Sequence, residues 1–363
     1  MMPGHAQAVR VLYLLTTLDV GGAERSLLEV LRRIRRMGVQ PCVCSLVSGG
    51  QLGAAYRDLG IPVIELGVRS GIDEVRGLGV LPLLVRFRPA IVHSRLILSN
   101  LWARLGTLVG AKVICEERGL ADSRPGFMNR LNRLTQPLCS MNVANSQAVA
   151  QRMRVRDGIR AARLRVIYGG VDCSRFMPDT SPDPKRFDVV TTTRLETYKG
   201  VFDLLEAMRL MANRRPGTTL SIVGDGSQRG ALERKAAELG VTASVTFWGD
   251  RADVPARLQE AAVFVLSSHE EGLPNAAIEA MSCALPVVAT QVGGTPEVVA
   301  QNETGFLVPA RQPAALAAAL LRYLDDPSLA HAHGIAGRER ALRNFDVEAT
   351  ACAYERLYAE LQS

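Results

Sequence analysis

The chain has 363 residues, 47% of them hydrophobic, and a formal net charge of +7 at pH 7. That length is more than one core ordinarily fills and suits two domains. No run approaches the roughly eighteen apolar residues of a membrane-spanning helix, and an aromatic content of 5% leaves the basic segments without a stacking platform for nucleic acid.

In chain order, residues 9–15 form an apolar run of strand length. With a single arginine, Arg10, in residues 1–15 and no small-residue cleavage site, it reads as a first strand rather than a signal peptide, which points to the cytoplasm. Gly21 and Gly22 then open a helix that runs to about Met37. Strand-length runs at 41–47, 62–66, 90–92, 112–115, 141–144 and 165–167 alternate with amphipathic stretches near 51–59, 73–87, 96–109, 126–139 and 146–157. This is the pattern of a doubly wound parallel sheet.

Gly169-Gly170 and three prolines between residues 178 and 184 interrupt the alternation and read as a linker. The expected domains are therefore 1–183 and 184–345. The alternation restarts with strands at 188–193, 219–223, 244–247, 262–266, 286–289 and 306–308, and helices at 200–213, 227–239 and 251–260. One more helix follows the 262–266 strand and carries Glu279, and helices at 313–325, 327–343 and 347–361 close the chain. Seven cysteines are scattered among these elements, and the Cys42-x-Cys44 pair has no partner pair nearby. Zinc is disfavoured and buried free thiols are expected.

The stretch from Ser267 to Cys283 is the centre of the second half. A buried strand runs into a turn containing Gly272 and Pro274 and then into the helix bearing Glu279. In a parallel sheet, ligands bind at this junction of strand end and helix N-terminus. Even on one continuous helix Glu271 and Glu279 would stand about 12 Å apart. That is too far for a pair attacking one bond and suits two acids holding opposite ends of a long, hydroxyl-rich ligand. Arg194 and Lys199 lie five residues apart ahead of a helix, where the dipole favours anions. A bound diphosphate would reconcile them, Arg194 as a fork and Lys199 as a point charge. Gly21-Gly22 and Gly224-Asp-Gly226 are weaker phosphate-loop signals, and His93 is either catalytic or a satisfied core histidine. No P-loop, G-x-S-x-G elbow or H-E-x-x-H occurs, nor an Asp-x-Asp pair to hold a metal-bound diphosphate.

Taken together, Gly21-Gly-Ala-Glu24, Arg194 with Lys199, Val223-Gly-Asp-Gly226, Glu271-x7-Glu279, Pro286-Val-Val-Ala289 and Gly293-Gly-x-x-Glu297 resemble the family-4 retaining glycosyltransferases of the GT-B fold. The resemblance covers essentially the whole chain and is most specific over residues 190–310. It implies two Rossmann-like parallel-sheet domains facing across a cleft, with the last helix crossing back onto the first domain. It also implies transfer of a sugar from a nucleoside-diphosphate sugar with retained anomeric configuration and without metal or cofactor. The donor would be a UDP-sugar first, a GDP- or ADP-sugar otherwise. By the same resemblance Glu279 binds the donor ribose, Glu271 the sugar hydroxyls, and Arg194 and Lys199 the diphosphate. The Gly272 and Leu273 amides face the donor, as do the Gly21-Gly22 loop and Gly224.

One departure matters. The family often shows His-x-His after its fourth strand, whereas this chain reads His93-Ser94-Arg95. Either Arg95 contributes charge to donor or acceptor, or catalysis is impaired and the chain is a sugar-nucleotide-binding scaffold. The charge is also uneven. Residues 1–183 carry 25 Lys and Arg against 14 acids, net +11, and the remainder 18 against 22, net −4. Four arginines end the first helix, and Arg124, Arg130 and Arg133 accompany Phe127, Met128 and Leu131. A basic amphipathic surface of this kind suits an anionic membrane on the inner face of the cell and a lipid-linked acceptor, with a soluble glycan as the alternative.

Overall fold

A computed structural model describes residues 8–19, 21–68, 78–120, 126–179 and 185–363. The expected helical residues 73–77, Arg124, and residues 180–184 of the proline stretch lie outside the described residues.

The chain divides into two compact units, residues 1–170 with 347–363, and residues 171–346. The division falls at Gly170/Val171 rather than at 183/184. Residues past Gly170 already bond within the second unit: Val171 N–H donates to Phe345 O, Cys173 Sγ lies 3.3 Å from Ser282 Oγ, and Arg175 donates to Ala252 O. Glycines and prolines mark where a chain can bend, but side-chain partners decide which unit a segment joins.

In the first unit seven parallel strands lie in the order β3-β2-β1-β4-β5-β6-β7. They are β1 (Val9–Leu15), β2 (Val39–Ser45), β3 (Val63–Glu65), β4 (Ile91–Arg95), β5 (Lys112–Glu117), β6 (Met141–Ala144) and β7 (Leu164–Val166). Alternation along each strand sorts side chains to two faces. Val11, Tyr13 and Leu15 face a core shared with α1 (Gly22–Ile34) and the terminal helix, Val347–Gln362. Leu12 and Leu14 face a second core, closed partly by the helix Val80–Phe87. Two further helices, Gly126–Thr135 and Gln147–Asp157, flank β6 in sequence.

The second unit is a six-stranded parallel sheet in the order β10-β9-β8-β11-β12-β13. Its strands are β8 (Phe187–Thr192), β9 (Leu220–Val223), β10 (Val245–Phe247), β11 (Ala261–Leu266), β12 (Val287–Thr290) and β13 (Gly305–Val308). The winding reverses between β8 and β11, which are hydrogen-bonded neighbours although some 70 residues apart in sequence. The carboxyl ends of two such strands are where a doubly wound sheet opens a crevice.

Candidate active site

The loop after β8 carries Arg194, and the short helical turn Thr197–Lys199 carries Lys199 just before the helix Val201–Ala212. Close backbone contacts hold this loop. Gly224 has φ +126°, and a Cβ there would lie 2.0 Å from Thr193 O; at Gly226 a Cβ would lie 2.6 Å from Leu195 O. The Gly224-Asp-Gly226 turn therefore seats the Arg194 loop, helped by Leu195 N–H donating to Asp225 O and Gln228 N–H to Leu195 O. The space a side chain at Gly224 would need is occupied by the protein's own backbone. That accounts for the glycine without a ligand.

Lys199 is held from the other strand. Its Nζ lies 2.7 Å from Glu271 Oε1, an oxygen that also accepts from Ser268 Oγ at 2.7 Å. Both partners are largely buried, with side chains 17% and 10% exposed. The segment after β11 binds the Lys199 turn at three further points. Ser267 Oγ donates to Lys199 O, His269 N–H donates to Tyr198 O, and His269 Nε2 lies 2.7 Å from Asp203 Oδ2. Gly200, at φ +64°, completes the join, because a Cβ there would lie 2.0 Å from Ser267 O.

This arrangement alters the electrostatic reading. An ammonium before a helix N-terminus is unfavourable, and Glu271 supplies the compensating anion from within the protein. Arg194 is exposed and makes no ion pair among the described residues. Glu279 sits half-buried in the helix Asn275–Ser282, which starts directly after Pro274, while Glu271, Gly272 and Leu273 lie buried in the preceding turn. The turn at 293–297 is tied in by Gly294 N–H donating to Glu271 O. One chemistry-bearing wall thus collects Arg194, Lys199, Glu271 and Glu279 around the ends of β8 and β11. Sequence reading missed Ser268, His269 and Asp203. The only local sign of the first two was a polar run directly behind an apolar strand.

His93 and Arg95 belong to a different setting. Both are buried in the first unit, at 0% and 1% exposure. Glu116 is ion-paired with Arg95, whose Nε lies 2.8 Å away, accepts a hydrogen bond from Arg118 at 2.7 Å, and lies 3.1 Å from His93 Nε2. Burial alone would raise the Glu116 pKa, but Arg95 and Arg118, with the His93 hydrogen bond, hold it far below the usual carboxylate range. Burial pushes the His93 pKa down, and its Nδ1 lies 2.6 Å from Tyr358 Oη, which in turn meets Tyr13 Oη at 2.9 Å. The terminal helix thus closes over His93, and Tyr354 lies beneath the Arg95 guanidinium. Neither residue reaches the surface, so the expected donor or acceptor contacts have no support here, and His93 is a satisfied core histidine.

The Gly21-Gly22 loop is also partly self-occupied. Gly22 begins α1, and a Cβ on Gly21 would lie 2.3 Å from Glu24 Oε2. The first-turn carboxylate of Glu24 covers the helix end where an anionic ligand was expected. Of the arginines ending α1, Arg33 pairs with Glu29 at 3.1 Å and Glu348 at 2.8 Å, and Arg32 lies 3.6 Å from Glu29.

Two family models match in tandem, Glycosyltransferase Family 4 over residues 20–175 and Glycosyl transferases group 1 over residues 174–340. The chain belongs to glycosyltransferase family 4. Its two parallel-sheet units are those of the GT-B fold. A glycosyltransferase from Rickettsia africae superposes with a TM-score of 0.85 at 21% identity, over 98% of this chain and 99% of that one. HepE from Anabaena, solved in complex with UDP, gives 0.85 at 22% identity over 97% and 100%. Among curated relatives, glycogen synthase of Mycobacterium tuberculosis is 34% identical over 204 residues, 54% of this chain and 48% of the relative. A GDP-mannose-dependent mannosyltransferase of Mycolicibacterium smegmatis, acting on phosphatidylinositol monomannoside, is 36% identical over 205 residues, 51% and 53% of the respective chains. The chain spans about half the length of the curated relatives it matches. No described helix is long and apolar enough to cross a membrane.

Proposed function

We propose that this family-4 glycosyltransferase moves a sugar from a nucleoside-diphosphate sugar to a glycan acceptor, with retention of configuration and without a metal. The observation that carries the reading is Lys199 locked to Glu271 at 2.7 Å at the switch point of the second sheet, with Arg194 exposed on the same loop. Cleaving the bond between the sugar and the diphosphate builds negative charge on the leaving oxygen. Cations already fixed in place stabilise that charge more in the transition state than in the ground state. Glu271 orients Lys199, Arg194 grips a phosphate, and Glu279 holds the ribose. The exposed Arg194 and the Lys199–Glu271 pair support diphosphate binding without a divalent ion. UDP bound in one solved complex and GDP-mannose in the name of one curated enzyme make UDP- and GDP-sugars the first to try.

The test is donor turnover, following release of nucleoside diphosphate from UDP-, GDP- and ADP-sugars with and without EDTA. Turnover that EDTA leaves intact, with product of retained configuration, supports the proposal. Tight nucleotide binding with no turnover of any donor supports the scaffold alternative instead.

A membrane-facing acceptor is supported by the helix Gly126–Thr135 and the turn that follows it. Phe127, Leu131, Leu134 and Leu138 form an exposed stripe at helical spacing. Residues 126–163 hold seven arginines and a single acid, Asp157. An apolar stripe within so basic a segment suits an anionic lipid surface and a lipid-linked acceptor. Co-sedimentation with phosphatidylglycerol vesicles that weakens with salt and with Leu134→Glu is expected; binding indifferent to both would overturn it.

A further inference from the structure

Just past the C-terminal end of that same helix lies a pair of thiols that the transfer reaction does not use. Cys115 is on β5, and Cys139 follows the turn Gln136–Leu138; both are 1% exposed and their Sγ atoms lie 3.0 Å apart. Arg104, 3% exposed, directs its Nε to Cys139 Sγ at 3.3 Å. Its remaining hydrogen bonds go to Asn132 O, Asn132 Oδ1, Thr135 Oγ1 and Gln136 Oε1, all neutral. Among the described residues no carboxylate pairs with this guanidinium. A buried cation with only neutral partners is costly unless an anion lies nearby, and among the described residues the ionisable groups that act most on it are the two thiols.

We propose that Cys115 and Cys139 are a redox-active dithiol, activated by Arg104 and oxidised to an intramolecular disulfide by hydrogen peroxide. Cys139 is the nucleophile. Its hydrogen bond with Cys115 and the charges of Arg104 and Arg163 lower its pKa to about 7 against the opposing effect of burial, whereas burial raises Cys115 well above the ordinary range. The Cys139 thiolate attacks one peroxide oxygen and the O–O bond breaks. A sulfenic acid forms, and the departing hydroxide takes up a proton as water. Cys115 Sγ then attacks the Cys139 sulfur; the S–O bond breaks, and hydroxide leaves as water with the Cys115 proton. Two thiols lose two electrons in total, and one peroxide becomes two waters. The sulfurs must close from 3.0 Å to about 2.05 Å, a movement of about 1 Å.

The consequence runs through the neighbouring helix Gly126–Thr135, which Arg104 holds by its Asn132 and Thr135. Of its described side chains only Asn132 is buried, and Asn132 is itself a partner of Arg104. So few buried contacts make local opening inexpensive. Once the disulfide forms, Arg104 loses its anion while still bonded to Asn132, Thr135 and Gln136. Oxidation therefore loosens the seat of the helix that carries the exposed apolar stripe.

The folded 363-residue chain, treated with hydrogen peroxide at pH 7, tests this without any variant. The expected result is loss of two of the seven thiols, a Cys115–Cys139 cross-linked peptide by mass spectrometry, and full recovery with dithiothreitol. Cys115→Ser should instead stop at a sulfenic acid on Cys139 that dimedone traps. Arg104→Gln should slow oxidation. The variant removes the Arg104 charge and leaves burial in place, so the Cys139 pKa rises; a rise of about 1.5 pH units would cut the thiolate at pH 7 by about 15-fold and, after the gain in intrinsic nucleophilicity, the rate by roughly threefold. Absence of the cross-linked peptide in folded wild type overturns the proposal, as does an oxidation rate that rises with pH only through the range of an ordinary thiol. Neither readout depends on which sugar, if any, the enzyme transfers.

Discussion

Gly200 offers a sharp test of how the site is assembled, because a matched control exists in the same unit. Gly200 and Gly240 have nearly the same backbone, φ +64° and +70°, but a Cβ at Gly200 meets Ser267 O at 2.0 Å whereas one at Gly240 meets nothing within 4 Å. Alanine at either position incurs the left-handed backbone cost, about 1–2 kcal/mol. Only at Gly200 must the backbone also move, since a carbon and an oxygen need a little over 3 Å, so the two segments must part by about 1 Å. Lys199 is the adjacent residue, and its carbonyl is bonded to Ser267 Oγ. A displacement of that size at a charge-positioning group costs on the order of 100-fold in rate. Gly240→Ala should therefore lower the calorimetric midpoint of the second unit by a few degrees and leave nucleotide affinity and turnover intact. Gly200→Ala should destabilise by about 1–3 kcal/mol more, the range of overpacking, and lose most turnover. Equal midpoints for the two variants, with wild-type turnover in Gly200→Ala, would refute the claim that this contact sets the position of Lys199.

Three other outcomes follow from the same geometry. Lys199→Ala and Glu279→Ala should each reduce turnover by roughly 100-fold or more while the far-ultraviolet spectrum stays unchanged; near-wild-type rates in either variant would remove that residue from the site. Tyr358→Phe withdraws the hydroxyl lying 2.6 Å from His93 Nδ1 and 2.9 Å from Tyr13 Oη. It should destabilise the first unit by about 1–3 kcal/mol in urea unfolding, and no measurable change would mean those contacts contribute little. The third outcome concerns pH. His93 has a folded pKa below its unfolded value because of burial. Between those two values the unfolded chain binds a proton that the folded one does not, so stability falls as pH drops below about 6.5, by up to about 1.4 kcal/mol per pH unit. Glu116, depressed in the folded state, adds to stability above its unfolded pKa and loses that contribution only in stronger acid. His93→Gln should flatten the slope between pH 6.5 and 5.5 in urea titrations, and an unchanged slope would exclude His93 as its source.

Much of the fold was legible from local pattern. Strand and helix runs could be placed within a few residues because apolar period and turn residues act over short distances, as at β11 and the helix opening after Pro274. Element ends were less legible. β4 extends to Arg95, past the apolar residues that announced it, and so carries His93 and Arg95 into the sheet. The site showed the same division. Arg194, Lys199, Glu271 and Glu279 stood out by charge and spacing, whereas Ser268, His269 and Asp203 are ordinary polar residues until folding sets them against the Lys199 turn.

By itself, then, the amino-acid order determined the kinds of element, the parallel α/β class and the residues chemically able to hold a diphosphate. Only tertiary structure decided their partners. The order β9-β8-β11-β12 brings Lys199 to Glu271 across 72 residues. The return of the terminal helix to the first unit sets Tyr358 against His93 across 265. Those pairings depend on strand order and on which face each helix covers. They are set by burying the whole core at once, not by any short stretch of the chain.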